Sequence, residues 1–400
     1  MHPDSQRKDV LGKPLRLPCG AVLKNRIAKS SMSDSLGDGE GNATDAQIRL
    51  YERWAEGGAA VSMIGEVQFD PRYPEKPGNL VLRDDAGKAR FEELTARALV
   101  DGAHLWPQIG HAGALSYAPI GPPLGPSSLD VEGLQCRGMS VEQVEELPAA
   151  YAAAARRARN AGFSGVHIHA GHGFLLSQFL SPLFNRRTDG YGGSIEGRSR
   201  IVLDIVDRVR KAVGPAFPIG IRINASDQLE GGLSEADALA VVKQLDDTSV
   251  DLIDISGGTY FPGAKSSSDS TGGGPYFVDF ARRARHVTQV PLMVTGGFRG
   301  RGQAIHAIES GAADIVGLAR SMVLMPELPN VWLSAASRDP VFPRFEKVVP
   351  GGITAWYSLR LTALGEDREA EFSMDIPEAL ETYDARDAER AARWKASFGL

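Results

Sequence analysis

Cysteine is almost absent from this chain, which has only Cys19 and Cys136 among its 400 residues. Two cysteines this far apart supply neither a disulfide framework nor a CxxC pair, so a small disulfide-stabilised scaffold is excluded. No run of 18 or more apolar residues occurs, which argues against a transmembrane helix. The opening stretch, MHPDSQRKDVLGKPLRLP, lacks the apolar core of a signal peptide. These absences lead us to expect a cytoplasmic protein.

An excess of positive charge is also missing. The chain has 44 Lys and Arg against 50 Asp and Glu, for a net charge of -6. This balance argues against non-specific nucleic-acid binding, which relies on a cationic surface. Since 42% of the residues are hydrophobic, the chain is long and apolar enough to bury a large core. We therefore expect a small-molecule substrate, with no nucleic-acid or membrane partner.

Short apolar runs alternate with segments of helical pattern along most of the chain. The helical segments include 146–162 and 195–214, which both end at glycine, and a segment that opens with Ser234 as its N-cap. There are eight apolar runs, rich in Val, Ile and small residues as strands buried on both faces are: 26–32, 59–67, 103–110, 165–171, 219–226, 251–258, 291–297 and 314–320.

Eight strand–helix units predict an α/β fold, the (β/α)8 TIM barrel. An open doubly wound sheet is less favoured, because no GxGxxG follows the first run. We expect a single domain, 1–400, with the barrel over about 23–326. Three segments lie outside the repeat: a hairpin over 10–25 that caps the bottom, a long loop after strand 3 over 111–140 that forms a lid, and an irregular C-terminal extension, 327–400.

The C-terminal ends of barrel strands carry the chemistry of such folds. Glycines after strand 7 and Arg320 after strand 8 are typical of a phosphate site, although tight turns alone would explain them. Gln108 and Arg222 offer an amide and a charged fork that suit the O=C–N–C=O edge of a flavin. The alternative for Arg222, equally weighted by spacing, is an ion pair with Asp254.

Two histidines at the end of strand 4, His169 and His172, form the next feature. A lone buried histidine is usually a hydrogen-bonded core residue. Two histidines at a strand end are as often ligand-binding residues as structural ones. A zinc site with His111 as a third ligand is one reading, but no carboxylate or Cys recurs nearby at ligand spacing. Neutral imidazoles that donate to and polarise a substrate oxygen are the other.

Several motifs together resemble the old yellow enzyme family of FMN-dependent ene-reductases. The resemblance runs from about Val10 to Pro326, and its longest part, over 169–200, is highly specific. The motifs are LKNRI (23–27), QIGHAG (108–113), HAGHGFLLSQFLSPLFNRRTDGYGGSIEGRSR (169–200), IRINASD (221–227) and GLAR (317–320).

This resemblance implies FMN as cofactor and NAD(P)H as reductant, with hydride passing by way of flavin N5 to the β-carbon of an activated alkene. His169 and His172 would bind the substrate oxygen as catalytic residues, and Phe174, Ser33 and Tyr260 would form the substrate pocket. A homo-oligomer, dimer or tetramer, is left open, and no metal is expected. The implied cofactor-binding residues are Ser30, Ser31, Met32, Glu66, Gln108, Arg222, Gly297, Ala319 and Arg320.

The chain departs from the family pattern in its substrate site. Phe174 stands where the family usually has a tyrosine that protonates the α-carbon. Ser33 replaces a redox-tuning cysteine of one branch, Ala114 replaces an arginine, and His167 replaces a glutamate. The cysteine set of the iron–sulfur relatives is absent. Three functions are compatible with this pattern. The first is an ene-reductase with another proton source, such as Tyr117, Tyr260 or Tyr276. The second is an FMN dehydrogenase or oxidative demethylase that acts on a C–N or C–C bond, and the third is a flavin-binding barrel with weak catalysis.

Overall fold

Eight parallel strands close into a barrel in the computed structural model, which describes residues 10–83, 85, 87–131, 133–261, 264, 274–346 and 349–400. The strands pair in chain order, and β1 closes the barrel by pairing with both β2 and β8. The predicted (β/α)8 fold is therefore confirmed. The barrel strands are β1 (Ile27–Lys29), β2 (Val61–Gln68), β3 (His104–Gly110), β4 (Val166–Ala170), β5 (Ile219–Asn224), β6 (Leu252–Ser256), β7 (Leu292–Thr295) and β8 (Ile315–Leu318).

Helices surround the barrel, and five of those given below begin at a polar side-chain cap, one of them the Ser234 cap that the sequence predicts. The side chain of Ser234 accepts a hydrogen bond from the backbone N–H of Asp237, and Ser140 and Ser194 cap their helices in the same way. The helices are α1 (Asp45–Glu56), α2 (Lys88–Ala98), α3 (Val141–Asn160), α4 (Leu175–Leu180), α5 (Ile195–Val213), α6 (Glu235–Asp246), α7 (Val278–Ala284), α8 (Arg301–Glu309), α9 (Arg320–Leu324), α10 (Leu328–Leu333), α11 (Gly352–Gly365) and α12 (Ile376–Phe398).

The bottom of the barrel is closed by the N-terminal hairpin. Its two short strands, Leu15–Arg16 and Val22–Leu23, pair antiparallel. Leu15, Leu17 and Leu23 are buried in one apolar cluster with barrel residues such as Trp106. Burial of these side chains stabilises the closed bottom and leaves the opposite, C-terminal mouth as the open end.

The segment after β3 forms a small structure of its own. It contains a 3-10 turn, Gly113–Leu115, and three short strands, Leu124–Gly125, Leu129–Val131 and Leu134–Gly138. Gln178 on α4 holds the start of this segment, because its Oε1 accepts from the backbone N–H of Ala114 at 3.0 Å. Leu115 to Ala118 reach the cavity described below.

The C-terminal extension is mainly helical, so the prediction of an irregular tail was wrong. Helices α11 and α12 pack on each other and α11 packs on α1. Trp394 of α12 is fully buried, and its Nε1 donates to the carbonyl oxygen of Pro71 at 2.7 Å. Trp356 contacts Phe345 and Phe372. No helix in the described part of the chain has the length and apolar character needed to cross a membrane.

Candidate active site

A cavity of about 640 Å³ opens at the C-terminal mouth of the barrel. That volume is within the usual range of small-molecule sites, roughly 300–1,000 Å³. Of the residues predicted to form the site, Ser30 and His169 lie behind the cavity wall. The others line it: Ser31, Met32, Ser33, Glu66, Gln108, His172, Phe174, Arg222, Tyr260, Gly297, Ala319 and Arg320.

Arg222 forms the predicted ion pair and also lies where it could contact a cofactor. Its Nε and Nη2 lie 2.7 and 2.5 Å from Oδ2 of Asp254, so the ion pair is present. Arg222 also lines the cavity, and its Nη2 donates to Oγ of Ser30. Since Asp254 and Ser30 fix the guanidinium, the buried cation is held rigid at the cavity wall.

Gln108 is positioned by a neighbouring histidine. Its Nε2 lies 2.9 Å from Nδ1 of His167 on the adjacent strand. Burial, then the charge of Arg222, hold the pKa of His167 well below its ordinary value, so this imidazole is neutral at physiological pH. A neutral His167 accepts from the Gln108 amide, and the Gln108 side chain is left facing the cavity in one orientation.

The two histidines of the β4 end form a chain that reaches the cavity through His172. His169 Nε2 lies 3.3 Å from His172 Nδ1, and His172 Nε2 lies 3.2 Å from Oγ of Ser256. The backbone N–H of His172 donates to Oδ1 of Asn224 at 2.9 Å. Burial, followed by the charge of Arg222, lowers the pKa of both rings well below the ordinary value, so both are neutral.

Behind His169 lies the carboxyl group of Glu66. One oxygen of Glu66 is 2.6 Å from His169 Nδ1, although the two groups are not aligned as a regular hydrogen bond. Burial raises the pKa of Glu66 to about 8, with a partial offset from the charge of Arg222. Glu66 is therefore mostly protonated at pH 7. The sequence placed Glu66 at a strand end but did not predict its contact with His169.

The far side of the cavity is formed by the ends of β7 and β8. Gly297 has a φ of +81°, and a Cβ at this position would lie 2.0 Å from the carbonyl oxygen of Gly274. Glycine is thus required for the close approach of these two backbone segments. Gly297, Ala319 and Arg320 line the same region, so the three predicted phosphate-binding residues lie together.

The end of β1, which pairs with β8, also lines the cavity. Ser31 is buried, and its Oγ has no hydrogen-bond partner among the residues described, so it retains bonding capacity at the cavity wall. Ser33 Oγ donates to Oε2 of Glu75 at 2.8 Å. Burial raises the pKa of Glu75 to about 7. Glu75 is a cavity residue that the sequence did not predict.

Phe174 lies against the histidines and against Tyr260. Its ring centroid is 5.0 Å from that of His169 and 5.8 Å from that of Tyr260. Tyr260 is 61% exposed and lines the cavity. Phe174 itself is buried and presents an apolar surface between His169 and Tyr260.

The C-terminal extension contributes cavity residues that sequence reasoning missed. They come from α11, α12 and the segment before them: Phe342, Gly351, Ile353, Thr354, Tyr357, Ser358, Leu380, Tyr383 and Asp384. A signal was present, because the buried residues of α12 recur at helical spacing from Ile376 to Trp394. Its many charges, which lie on the exposed face, obscured that pattern.

The zinc alternative for the histidines is not supported. His111 is buried, stacks on Tyr73 at 4.6 Å and accepts from the backbone N–H of Gly113 through Nδ1. Within the described ranges, no three His, Cys, Asp or Glu side chains are grouped to hold a metal ion.

Comparison with known proteins agrees with this arrangement. Residues 11–332 match the family described as NADH:flavin oxidoreductase / NADH oxidase. The chain belongs to this family. It is 33% identical over 351 residues to NADH-dependent flavin oxidoreductase iliE of Hypocrea jecorina, which covers 79% of this chain and 87% of the relative. The family resemblance in the sequence is confirmed, and the predicted FMN and NAD(P)H are the cofactor and reductant of this family.

Two further similarities qualify and extend this result. A 34% identical relative of the same name from Neonectria covers 84% of this chain, but the chain spans only 48% of that relative's length. Among solved structures, morphinone reductase in complex with tetrahydroNAD has a TM-score of 0.71 and 25% identity, covering 83% of this chain and 93% of the other. The similarity to morphinone reductase extends over the whole barrel.

The cavity residues fit a flavin mononucleotide. Ser31 Oγ is an unpartnered buried polar atom, and the turn at Gly297 and the cation of Arg320 both line the cavity. Gln108 and Arg222 line the same cavity and could bind a donor–acceptor edge. The donor set thus suits a planar heterocycle and a phosphate.

Proposed function

We propose that this protein is an FMN-dependent NAD(P)H oxidoreductase that reduces the activated C=C bond of an enone or enal. One observation carries the proposal: Gln108 and Arg222, suited to a flavin edge, share a cavity with His172, a neutral donor suited to a carbonyl oxygen. FMN, when bound, supplies the hydride. The flavin chemistry of the family is thereby combined with an oxygen-binding group on the protein.

Each residue has a defined task in this proposal. Gln108 and Arg222 bind the pyrimidine edge of the cofactor, and the fixed positive charge of Arg222 favours negative charge there. Gly297, Ala319 and Arg320 bind its phosphate. His172 donates its Nε2–H to the substrate oxygen in place of Ser256 Oγ, which polarises the alkene and stabilises the negative charge that develops on that oxygen. His169 holds the His172 ring by the contact between their nitrogens.

The test is a pair of anaerobic half-reactions on the purified protein. We expect a yellow protein that NADH or NADPH bleaches and that cyclohexenone then rapidly reoxidises. His172→Asn should weaken the enone reaction while leaving FMN bound, because His172 is assigned to the substrate and not to the cofactor. A protein that binds no FMN, or a reduced protein that enones do not reoxidise, would reject the proposal.

A second candidate is the oxidation of a C–N bond in an amine. Besides the protonated Glu66, the acidic side chains of Glu75 and Asp384 line the cavity, and their ionised carboxylates would attract an ammonium group. Bleaching of the oxidised flavin by an amine, without NADH or NADPH, would support this candidate. Amines that leave the flavin oxidised while enones reoxidise the reduced protein would decide for the first function.

A further inference from the structure

Reduction of a C=C bond requires a proton as well as a hydride. Hydride addition at the β-carbon leaves an enolate, whose α-carbon must then be protonated by an acid or by water. Phe174, which stands where the family resemblance would have a tyrosine, has no proton to donate. If the proposed function holds, this proton must come from another group of the site or from water.

Tyr260 brings a phenol to the same part of the cavity from a different loop. It follows β6, whereas Phe174 follows β4. The Tyr260 ring centroid lies 5.8 Å from that of Phe174 and 6.0 Å from that of His172. Its hydroxyl makes no hydrogen bond to any described residue, so its proton is not engaged within the described protein. A hydroxyl-bearing ring thus lies beside the apolar one.

The backbone fixes Tyr260 relative to His172. The Tyr260 N–H donates to the carbonyl oxygen of His172 at 3.2 Å, and Thr259 forms a β-bridge with His172. Gly173 has a φ of +81°, and a Cβ there would lie 2.0 Å from Oγ1 of Thr259, so the two loops are in close contact. Phe261 stacks on Phe184 at 3.6 Å. The phenol and the oxygen-binding histidine therefore belong to one packed unit.

The protonation state of Tyr260 suits a donor. Desolvation, followed by the charges of Glu75 and Glu66, raises the pKa of the Tyr260 phenol to about 12. The hydroxyl is therefore protonated throughout the neutral range.

Three other acids of the cavity make different contacts. Glu66 lies against His169, behind His172. The ring of Tyr117 is covered by Lys76 at 5.0 Å, and Tyr276 lies beside Gly296 at the end of β7. Neither of these two tyrosines has a ring contact with His172 or Phe174 among the described residues, whereas Tyr260 contacts both.

We propose that Tyr260 is the catalytic proton donor of this site, taking the place of an acid at position 174. The O–H bond of the phenol breaks as the C–H bond at the α-carbon forms, and the phenoxide regains a proton from water at the mouth of the cavity. The two electrons come from NAD(P)H as hydride. The balance is alkene, NAD(P)H and one proton giving the saturated product and NAD(P)⁺.

The central variant is Tyr260→Phe, which removes only the hydroxyl. Because general-acid catalysis is typically worth about 10²–10⁴-fold, we expect enone reoxidation to slow by roughly 100-fold or more. Bleaching by NAD(P)H and the dissociation constant of an unreactive phenol should change by less than about twofold, since neither requires a proton from Tyr260. Tyr191→Phe, a buried tyrosine under Arg200 and outside the cavity lining, is the matched control.

Product stereochemistry provides a readout that a merely structural role would not change. With 2-methylcyclohexenone, a fixed donor protonates one face of the α-carbon, so the parent should give one enantiomer. Tyr260→Phe should move the product toward the racemate, since water reaches both faces. The double variant Tyr260→Phe with Phe174→Tyr should recover at least tenfold in rate, because it returns a phenol to the adjacent ring position.

The outcomes separate the two proposals. If the parent protein is yellow and reducible but no enone reoxidises it, the proposed function fails. If the parent reduces enones and Tyr260→Phe, with FMN bound and an unchanged melting temperature, matches it in rate and product enantiomer, the assignment of Tyr260 fails. A slow Tyr260→Phe variant with intact phenol binding supports the assignment.

Discussion

The carboxyl group of Glu66 lies 2.6 Å from Nδ1 of His169 in the buried wall of the cavity. Arg222, Tyr151, Glu75 and Tyr260 are the charged or titratable groups coupled to this carboxyl. Burial outweighs the attraction of Arg222, and Glu66 holds a proton at pH 7. Glu66 therefore supports a neutral histidine pair without placing a full negative charge beside the substrate oxygen.

A pH dependence of stability follows from Glu66. Its pKa is about 8 in the folded protein, against an ordinary value of 4.5. Between these values the folded state holds a proton that the unfolded state has lost. The free energy of unfolding therefore falls as pH rises, by up to about 1.4 kcal/mol per pH unit, and this contribution levels off above pH 8.

Denaturant unfolding of the parent and of Glu66→Gln between pH 5 and 7 measures this effect. Glu75, whose pKa is raised to about 7 by burial and in part by the charge of Glu66, contributes with the same sign, so the difference between the two proteins reports Glu66 together with its coupling to Glu75. We expect a shallower fall with pH in Glu66→Gln. Glu92→Gln, on the exposed face of α2, is the control. Identical pH slopes in parent and Glu66→Gln would show that Glu66 is ionised in the folded state.

The two histidines should differ in their effect on ligand binding. His172 lines the cavity, whereas His169 lies behind its wall and contacts the His172 ring. A hydrogen bond to a charged group is worth about 1.5–3 kcal/mol, so His172→Ala should weaken binding of a phenolate by roughly 10–100-fold. His169→Ala should have a smaller effect.

Optical titration with p-hydroxybenzaldehyde measures both dissociation constants, and His286→Ala on an exposed loop is the control. A larger loss of phenolate affinity in His169→Ala than in His172→Ala would contradict this prediction, because it would place the ligand against His169.

The Arg222–Asp254 pair combines a structural and a binding role that mutation can separate. Both side chains are buried, and removal of one partner of a buried ion pair typically costs about 3–5 kcal/mol because the other charge is left unpaired. Arg222→Ala should therefore lower the free energy of unfolding and also weaken FMN binding. Chemical denaturation and flavin fluorescence measure the two effects.

The double variant Arg222→Met with Asp254→Leu distinguishes the roles. We expect it to recover much of the stability, since no charge is left buried, but to bind FMN as weakly as Arg222→Ala. Recovery of FMN affinity in the double variant would remove Arg222 from the cofactor site.

The fold was more readable from the sequence than the site. Strands such as 219–226 are continuous Val- and Ile-rich runs because both faces are buried, and periodicity alone locates them. The contact between Glu66 and His169 joins residues on β2 and β4 that are far apart in the chain. It depends on barrel register and side-chain direction, which no local pattern records.

The role of a single residue, where the sequence allowed two, could be decided only from the structure. From sequence spacing, a flavin contact and an ion pair with Asp254 were equally favoured for Arg222. The structure contains the ion pair, and it lies at the cavity wall. The helices of the C-terminal extension were not predicted, for a different reason. Helix α11 is apolar on most of its surface and lacks an amphipathic stripe, because it is buried between α12, α1 and the barrel mouth.

Trp394 is one of the buried residues through which helix α12 packs on the rest of the protein. The indole packs with Val81, Ile120 and Ala391 and donates to the Pro71 carbonyl oxygen at 2.7 Å. The same helix places Leu380, Tyr383 and Asp384 in the cavity wall. We therefore expect the anchor at one end of α12 to help hold the other end against the site.

Trp394→Ala tests this anchor. Truncation of a buried tryptophan typically costs about 3–5 kcal/mol, so we expect a clear fall in the free energy of unfolding. FMN should also dissociate faster, because α12 no longer holds Leu380 and Tyr383 over the cavity. Denaturant unfolding and release of flavin fluorescence measure the two effects, and Lys395→Ala, the exposed neighbour, is the control. A destabilised variant that releases FMN at the parent rate would limit α12 to a structural role.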